Sequence, residues 1–95
     1  MENSNTISTA PLGSTLIRAE RAHGRIYCLI EIKIFENTVY CISVTDDEFS
    51  AELVGNDRVE ALRLFETLCD EGIPSYHLFD VVSDSKREYL TNNSK

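Results

Sequence analysis

Along the segment from Ile26 to Ile34, apolar side chains recur at every second position, at Ile26, Cys28, Ile30, Ile32 and Ile34. A pleated strand sends successive side chains to opposite faces, so a period of two predicts a strand with one buried side. Thr15 to Arg21 reads as an earlier strand, joined through His23-Gly24, where glycine supplies the positive backbone angle of a two-residue hairpin. Val39 to Thr45 and Glu48 to Val54 continue the series, through turns at Glu36-Asn37-Thr38 and at Asp46-Asp47. Aspartate side chains suit such turns because they bond nearby backbone amides.

Register follows from the apolar pattern. A three-residue turn at 36–38 sets Ile34 opposite Tyr40 and Ile32 opposite Ile42. One inner face then gathers Ile17, Ala19, the isoleucine row, Tyr40, Ile42, Val44, Phe49, Ala51 and Leu53. The opposite face takes Glu31, Lys33, Ser43, Glu48, Ser50 and Glu52, with Tyr27, Leu29, Phe35, Val39 and Cys41 among them. A two-residue turn would flip the third strand and move Tyr40, Ile42 and Val44 to the polar side, so the three-residue register is expected.

Two helices are expected after the strands. Asp57-Arg58-Val59-Glu60 fits a capping box, and Gly72 stands where a left-handed cap would close the first helix. Val59, Leu62, Phe65, Leu68 and Cys69 form its apolar stripe. Ile73-Pro74 ends that helix, and Ser75 is the expected cap of a second running from Tyr76 to about Leu90, with Leu78, Val81 and Val82 buried. Short connections lay both helices on the inner sheet face. The expected fold is α+β, a four-stranded antiparallel meander with two C-terminal helices packed on one face. The polar residues 1–14 and 91–95 are expected to be loose ends of a single domain spanning 15–90.

Charge narrows the range of partners. Residues 1–45 balance four basic against four acidic side chains, whereas residues 46–95 carry five against twelve, so the whole formal charge of −7 lies there. That sign repels phosphate backbones, and no direct nucleic-acid binding is expected. No segment has the length of a membrane span, and the start MENSNTISTAPLGS lacks a basic stretch followed by an apolar run. A cytoplasmic location without membrane attachment is the expectation. Cysteines 28, 41 and 69 lack the close spacing of a zinc site or a disulfide framework and read as reduced thiols.

Candidate chemistry is sparse. His77 lies at the start of the second helix with Asp80 one turn on, and Asp80, Asp84 and Glu88 follow at intervals of four, on one helical face. His77, Asp80 and Asp84 therefore form the candidate polar site. Nothing calls for a cofactor or a metal ion, and no nucleophile stands in evident reach of a base. With the helices on one face, the other carries Tyr27, Leu29, Phe35, Val39 and Cys41 as the candidate partner-binding surface.

The segment Pro74-Ser75-Tyr76-His77-Leu78-Phe79-Asp80-Val81-Val82-Ser83-Asp84, with Val39-Tyr40-Cys41-Ile42 in the third strand, resembles a small domain family of unknown function from clostridial and related Firmicutes bacteria. The resemblance covers roughly Ile26 to Asp84 and departs from the family at Cys41, where glycine is expected. It implies a cytosolic bacterial origin and supplies no catalytic residues. The leading expectation is a non-catalytic interaction or regulatory module that meets a protein partner or a second copy through its sheet. A small enzyme or ligand-binding domain centred on His77, Asp80 and Asp84 is the first alternative, and an acidic inhibitor imitating nucleic acid is the second.

Overall fold

The computed structural model describes residues 12–93, with side chains from 13 to 86. Strands β1 (Leu12–Ala22), β2 (Arg25–Ile34), β3 (Asn37–Thr45) and β4 (Phe49–Gly55) form one antiparallel sheet in the order β1-β2-β3-β4. Helix α1 (Arg58–Glu71), a single 3-10 turn (Ser75–His77) and helix α2 (Leu78–Asn93) follow. This is the α+β meander with two C-terminal helices that the sequence pattern predicts. Among the described residues, no helix is long and apolar enough to cross a membrane.

The first hairpin turns at His23-Gly24 as expected, with both residues at positive φ. The second does not turn at 36–38. Ile34 pairs with Asn37, so the turn has two residues, Phe35 and Glu36, and Phe35 takes a φ of 57°. A bulky residue in that region is uncommon. Moving the turn changes the parity of every pair that follows it: Tyr27 lies opposite Val44, Leu29 opposite Ile42 and Glu31 opposite Tyr40.

The helices cover this Tyr27–Leu29 face and leave the isoleucine face open. Tyr27, Leu29, Ile42, Val44, Phe65, Leu68 and Leu78 are 0% exposed, and Tyr40, Ala61 and Val82 complete the core. The expected inner set is thereby divided. Tyr40, Ile42 and Val44 do face the helices, whereas the isoleucine row, Phe49, Ala51 and Leu53 do not. Tyr27 and Leu29, expected on the far face, are core residues instead. Glu31 lies on the helix side too, where it accepts from the Tyr40 hydroxyl at 3.0 Å and meets Arg58 at 3.6 Å.

Two bulges adjust the outer strands. Ile17 is an extra residue between the Leu16–Ile30 and Arg18–Leu29 pairs, and it packs against the core while Ala19 pairs with Cys28 on the open face. The expected partnership of Ile17 with Ala19 on one face is broken by that bulge, which inserts one residue into the alternation. A second irregularity sets Val54 between Leu53 and Gly55, whose φ is 111°.

Helix α1 is closed as its sequence indicates. The Asp57 side chain accepts from the Glu60 amide at 3.1 Å, and left-handed Gly72 lets its own amide reach Cys69 and the Ile73 amide reach Leu68. Val59, expected in the apolar stripe, is exposed, because it lies about 120° around the axis from buried Phe65. The turn before α2 is fixed differently from expectation. Ser75 is buried and bonds to Asp46 rather than capping the helix, and the Tyr27 hydroxyl donates to the Ile73 carbonyl at 3.0 Å. Strand β1 begins at Leu12, three residues into the expected tail, and α2 runs to Asn93. The remaining tail positions, 1–11 and 94–95, lie outside the described residues.

The inverted sheet makes opposite demands on neighbouring residues. In dilute solution Leu29→Ala should cost about 3 kcal/mol in urea unfolding while Ile30→Ala costs about 1 kcal/mol or less, the reverse of the order the expected register would give. Phe35→Gly should raise stability by about 1 kcal/mol, since glycine takes positive φ without steric cost; a lowered urea midpoint would show instead that the ring makes a stabilising contact.

Candidate functional site

Pairing across the sheet defines the open face residue by residue. On β2 it presents Ile26, Cys28, Ile30, Ile32 and Ile34. Strand β1 adds Leu16 and Ala19, β3 adds Val39, Cys41 and Ser43, and β4 adds Phe49, Ala51 and Leu53. Leu16, Phe49 and Leu53 are 58%, 68% and 53% exposed, and the central isoleucines are half-buried. Among the described residues, Arg21, paired with Ile26, is the one charged side chain placed on this face by the ladder. Polar Ser14, Asn37 and Thr45 mark its ends.

The candidate partner surface is thus partly displaced. Tyr27 and Leu29 lie in the core and cannot meet a partner, because the shorter turn exchanges the faces of β2. Val39 and Cys41 do stand on the open face, and Phe35 projects from the hairpin tip, 74% exposed. The isoleucine row, Leu16, Phe49 and Leu53 replace the two buried residues. A signal for them existed in the sequence: branched aliphatics occupy both sides of the meander, and two short helices can cover only one side.

The polar trio stands at the surface. His77 Nδ1 stands 3.9 Å from the Asp80 carboxylate, beyond hydrogen-bond range, and His77, Asp80 and Asp84 are all exposed. The side chain of Glu88 lies outside the described residues. A cleft of about 240 Å³ beside α2 is lined by Val54, Asp57, Glu60, Leu64, Ser85 and Lys86, and contains none of the three. Among the described residues, no group of three or more His, Cys, Asp or Glu side chains is placed to hold a metal ion.

A stronger polar node was not foreseen. Asp46 Oδ1 accepts from the Glu48 amide at 3.0 Å and the Ser75 hydroxyl at 2.7 Å, while Oδ2 accepts from the Ser75 amide and Arg25 Nε, both at 3.0 Å. These donors, the Ser75 and Glu48 amides foremost, hold its carboxyl well below the usual carboxylate range. A cleft of about 520 Å³ opens beside it, lined also by His23, Glu48 and Tyr76. Each carboxylate oxygen already has two donors, so Asp46 pins the β3–β4 loop to the entry of α2 and has no lone pair to offer a ligand.

The thiols are equally quiet. Cys28 and Cys41 share the open face, in pairs two steps apart in the ladder, and neither forms a disulfide. The expectation that they point to opposite faces is corrected by the two-residue turn. Burial raises the Cys41 thiol, and burial reinforced by Glu20 pushes Cys69 up to about 11, which keeps both protonated and poorly nucleophilic near neutral pH.

No family model, curated protein or solved structure matches the chain. Functional roles therefore rest on the geometry of these residues.

The Asp46 node sets an acid-side stability profile. A carboxyl depressed on folding stabilises the native state above its unfolded value of about 4 and loses that contribution as pH falls through its folded value. Urea midpoints should decline as pH drops below about 5. Asp46→Asn should be less stable at neutral pH and show a flatter decline; identical profiles for the two proteins would remove the node from the account.

Proposed function

We propose that the chain is a non-catalytic protein–protein association module whose working surface is the isoleucine face of the sheet. One observation carries the reading: the side of the sheet turned away from the helices holds more branched aliphatic side chains than the side they cover. An antiparallel sheet with one wet face ordinarily alternates apolar inside with polar outside. Here the charged residues Glu31, Lys33 and Glu52 lie on the helix side, and among the described residues the open side carries Arg21 as its one charge. Contiguous exposed apolar surface of this kind marks an interaction site.

Phe35 supports the same reading. This residue is at positive φ and 74% exposed, and sparsely populated backbone held at an exposed position points to a functional use. Ile34 beside it joins the tip to the face. Against catalysis stand the raised thiols of Cys41 and Cys69, an exposed histidine without a nucleophile in evident reach, and an aspartate saturated by internal donors. Several carboxylates of the acidic half are likewise engaged within the fold: Asp57 caps α1 and Glu60 pairs with Arg63 at 2.9 Å. Such engagement argues against a regular acidic array presented to a basic protein. A cytoplasmic setting suits a chain with free thiols on its working face.

Substitution on the two faces separates association from folding. Ile30→Glu should preserve the far-UV circular dichroism spectrum yet change concentration-dependent light scattering or abolish a partner retained by the unaltered chain, whereas Leu29→Glu should unfold the domain. An Ile30→Glu protein matching the original in scattering and in retained partners would overturn the proposal.

A further inference from the structure

We infer that the occupant of the open face is a second copy of this chain, stacked sheet to sheet so that the pair forms four layers in the order helix, sheet, sheet, helix. The inference rests on the association reading above and names the partner. Size is the first argument. Strands of 11, 10, 9 and 7 residues make the face. At about 4.8 Å between strands and 3.3 Å per residue it measures roughly 19 by 30 Å, on the order of 600 Å². Two such faces together bury on the order of 1,200 Å², which enters the range of specific interfaces.

Charge is the second argument. A chain of formal charge −7 repels its own copies at a distance, but among the described residues no carboxylate lies on the open face. Two copies meeting there bring no carboxylates together, and the polar ends of the strands supply a rim around an apolar centre. A two-fold axis through the middle of the face sets the Ile30, Cys28 and Cys41 region of one protomer against that of its partner, the self-complementary contact that closed dimers use. Stacked sheets pack about 10 Å apart with strands about 30° from parallel.

Other occupants fit less well. Residues 1–11 hold Ile7 as their one branched aliphatic among serine, threonine and asparagine, too little to dry the face. An anionic bilayer would meet a net negative chain with Arg21 as the only cation on the face among the described residues. Strand-to-strand pairing at the sheet edges is guarded at both sides. Edge strand β1 carries the Ile17 bulge with Arg18, Glu20 and Arg21, and edge strand β4 is short, charged at Glu52 and irregular at Val54.

Sedimentation equilibrium and thiol labelling of the full chain test the inference. At about 100 µM the chain should sediment at twice its 10.7 kDa mass, and Ile30→Glu should weaken the pairing about 100-fold or more. Leu53→Glu on the edge strand serves the same purpose if Ile30→Glu fails to fold. Labelling of Cys28 and Cys41 by a bulky maleimide should accelerate about tenfold or more on dilution to monomer while Cys69, on the helix side, does not respond. A dimer whose Cys28 and Cys41 labelling ignores concentration would overturn the stacked arrangement, and a chain monomeric at 100 µM would overturn the second copy as occupant. In that last case, a heterologous partner lost on Ile30→Glu leaves the association reading standing, and a variant that loses nothing ends both.

Discussion

Because side chains alternate along a strand with a period of two, the length of one hairpin turn decides which half of the following strand is buried. The turn at Phe35-Glu36 is that decision in this protein. With two residues between Ile34 and Asn37, Tyr40, Ile42 and Val44 share a face with Tyr27 and Leu29. That face offers what a helix layer needs: large side chains for close packing and, at its margins, hydroxyls that reach polar partners on neighbouring elements. The Tyr27 hydroxyl on Ile73 and the Tyr40 hydroxyl on Glu31 are such contacts. Isoleucines have no polar atom to make them.

Once the face is chosen, polar contacts fix how the helices lie on it. Asp46 gathers an arginine from β2, an amide from its own loop, and both the amide and hydroxyl of Ser75. A carboxylate with four donors holds its neighbours in one arrangement, and charge-assisted bonds of this kind are the stronger ones. On the far side of the core, Arg18 lies 5.4 Å from the centre of the Phe65 ring and pairs with Glu20 and Glu66. The exposed pairs add little stability by themselves. Their use is to close the apolar layer at its borders with side chains that are half apolar stem.

The resulting monomer has an unequal distribution of surfaces. Among the described residues, the acidic ones lie on the helices, the loops and the helix side of the sheet, while the sheet back is largely aliphatic with Arg21 as its one charge. Among the described residues, Asp46, Glu31, Asp57 and Glu60 are occupied in holding the fold. The sheet back is a broad apolar surface with an aromatic at positive φ at its corner. The physics that makes this surface unfavourable in water is the same that would drive it against another protein.

The local signals were legible in the sequence because their physics is local. The strand period, the His23-Gly24 turn, the Asp57–Glu60 capping box, the Gly72 cap and the buried side of α2 at Leu78 and Val82 all depend on residues a few positions apart. The faces of β2 relative to β3 were not legible in the same way. Asn37 and Thr38 are better turn residues than Phe35, and an isoleucine row is a stronger apolar signal than Tyr27 and Leu29, so local preference pointed to the wrong register. Only the assembled tertiary structure weighs the strain at Phe35 against the packing of Phe65, Leu68 and Leu78 on Tyr27, Leu29 and Ile42. The Asp46–Ser75 node was hidden for the same reason, since its partners are 29 residues apart and meet only after the helices have settled on the sheet.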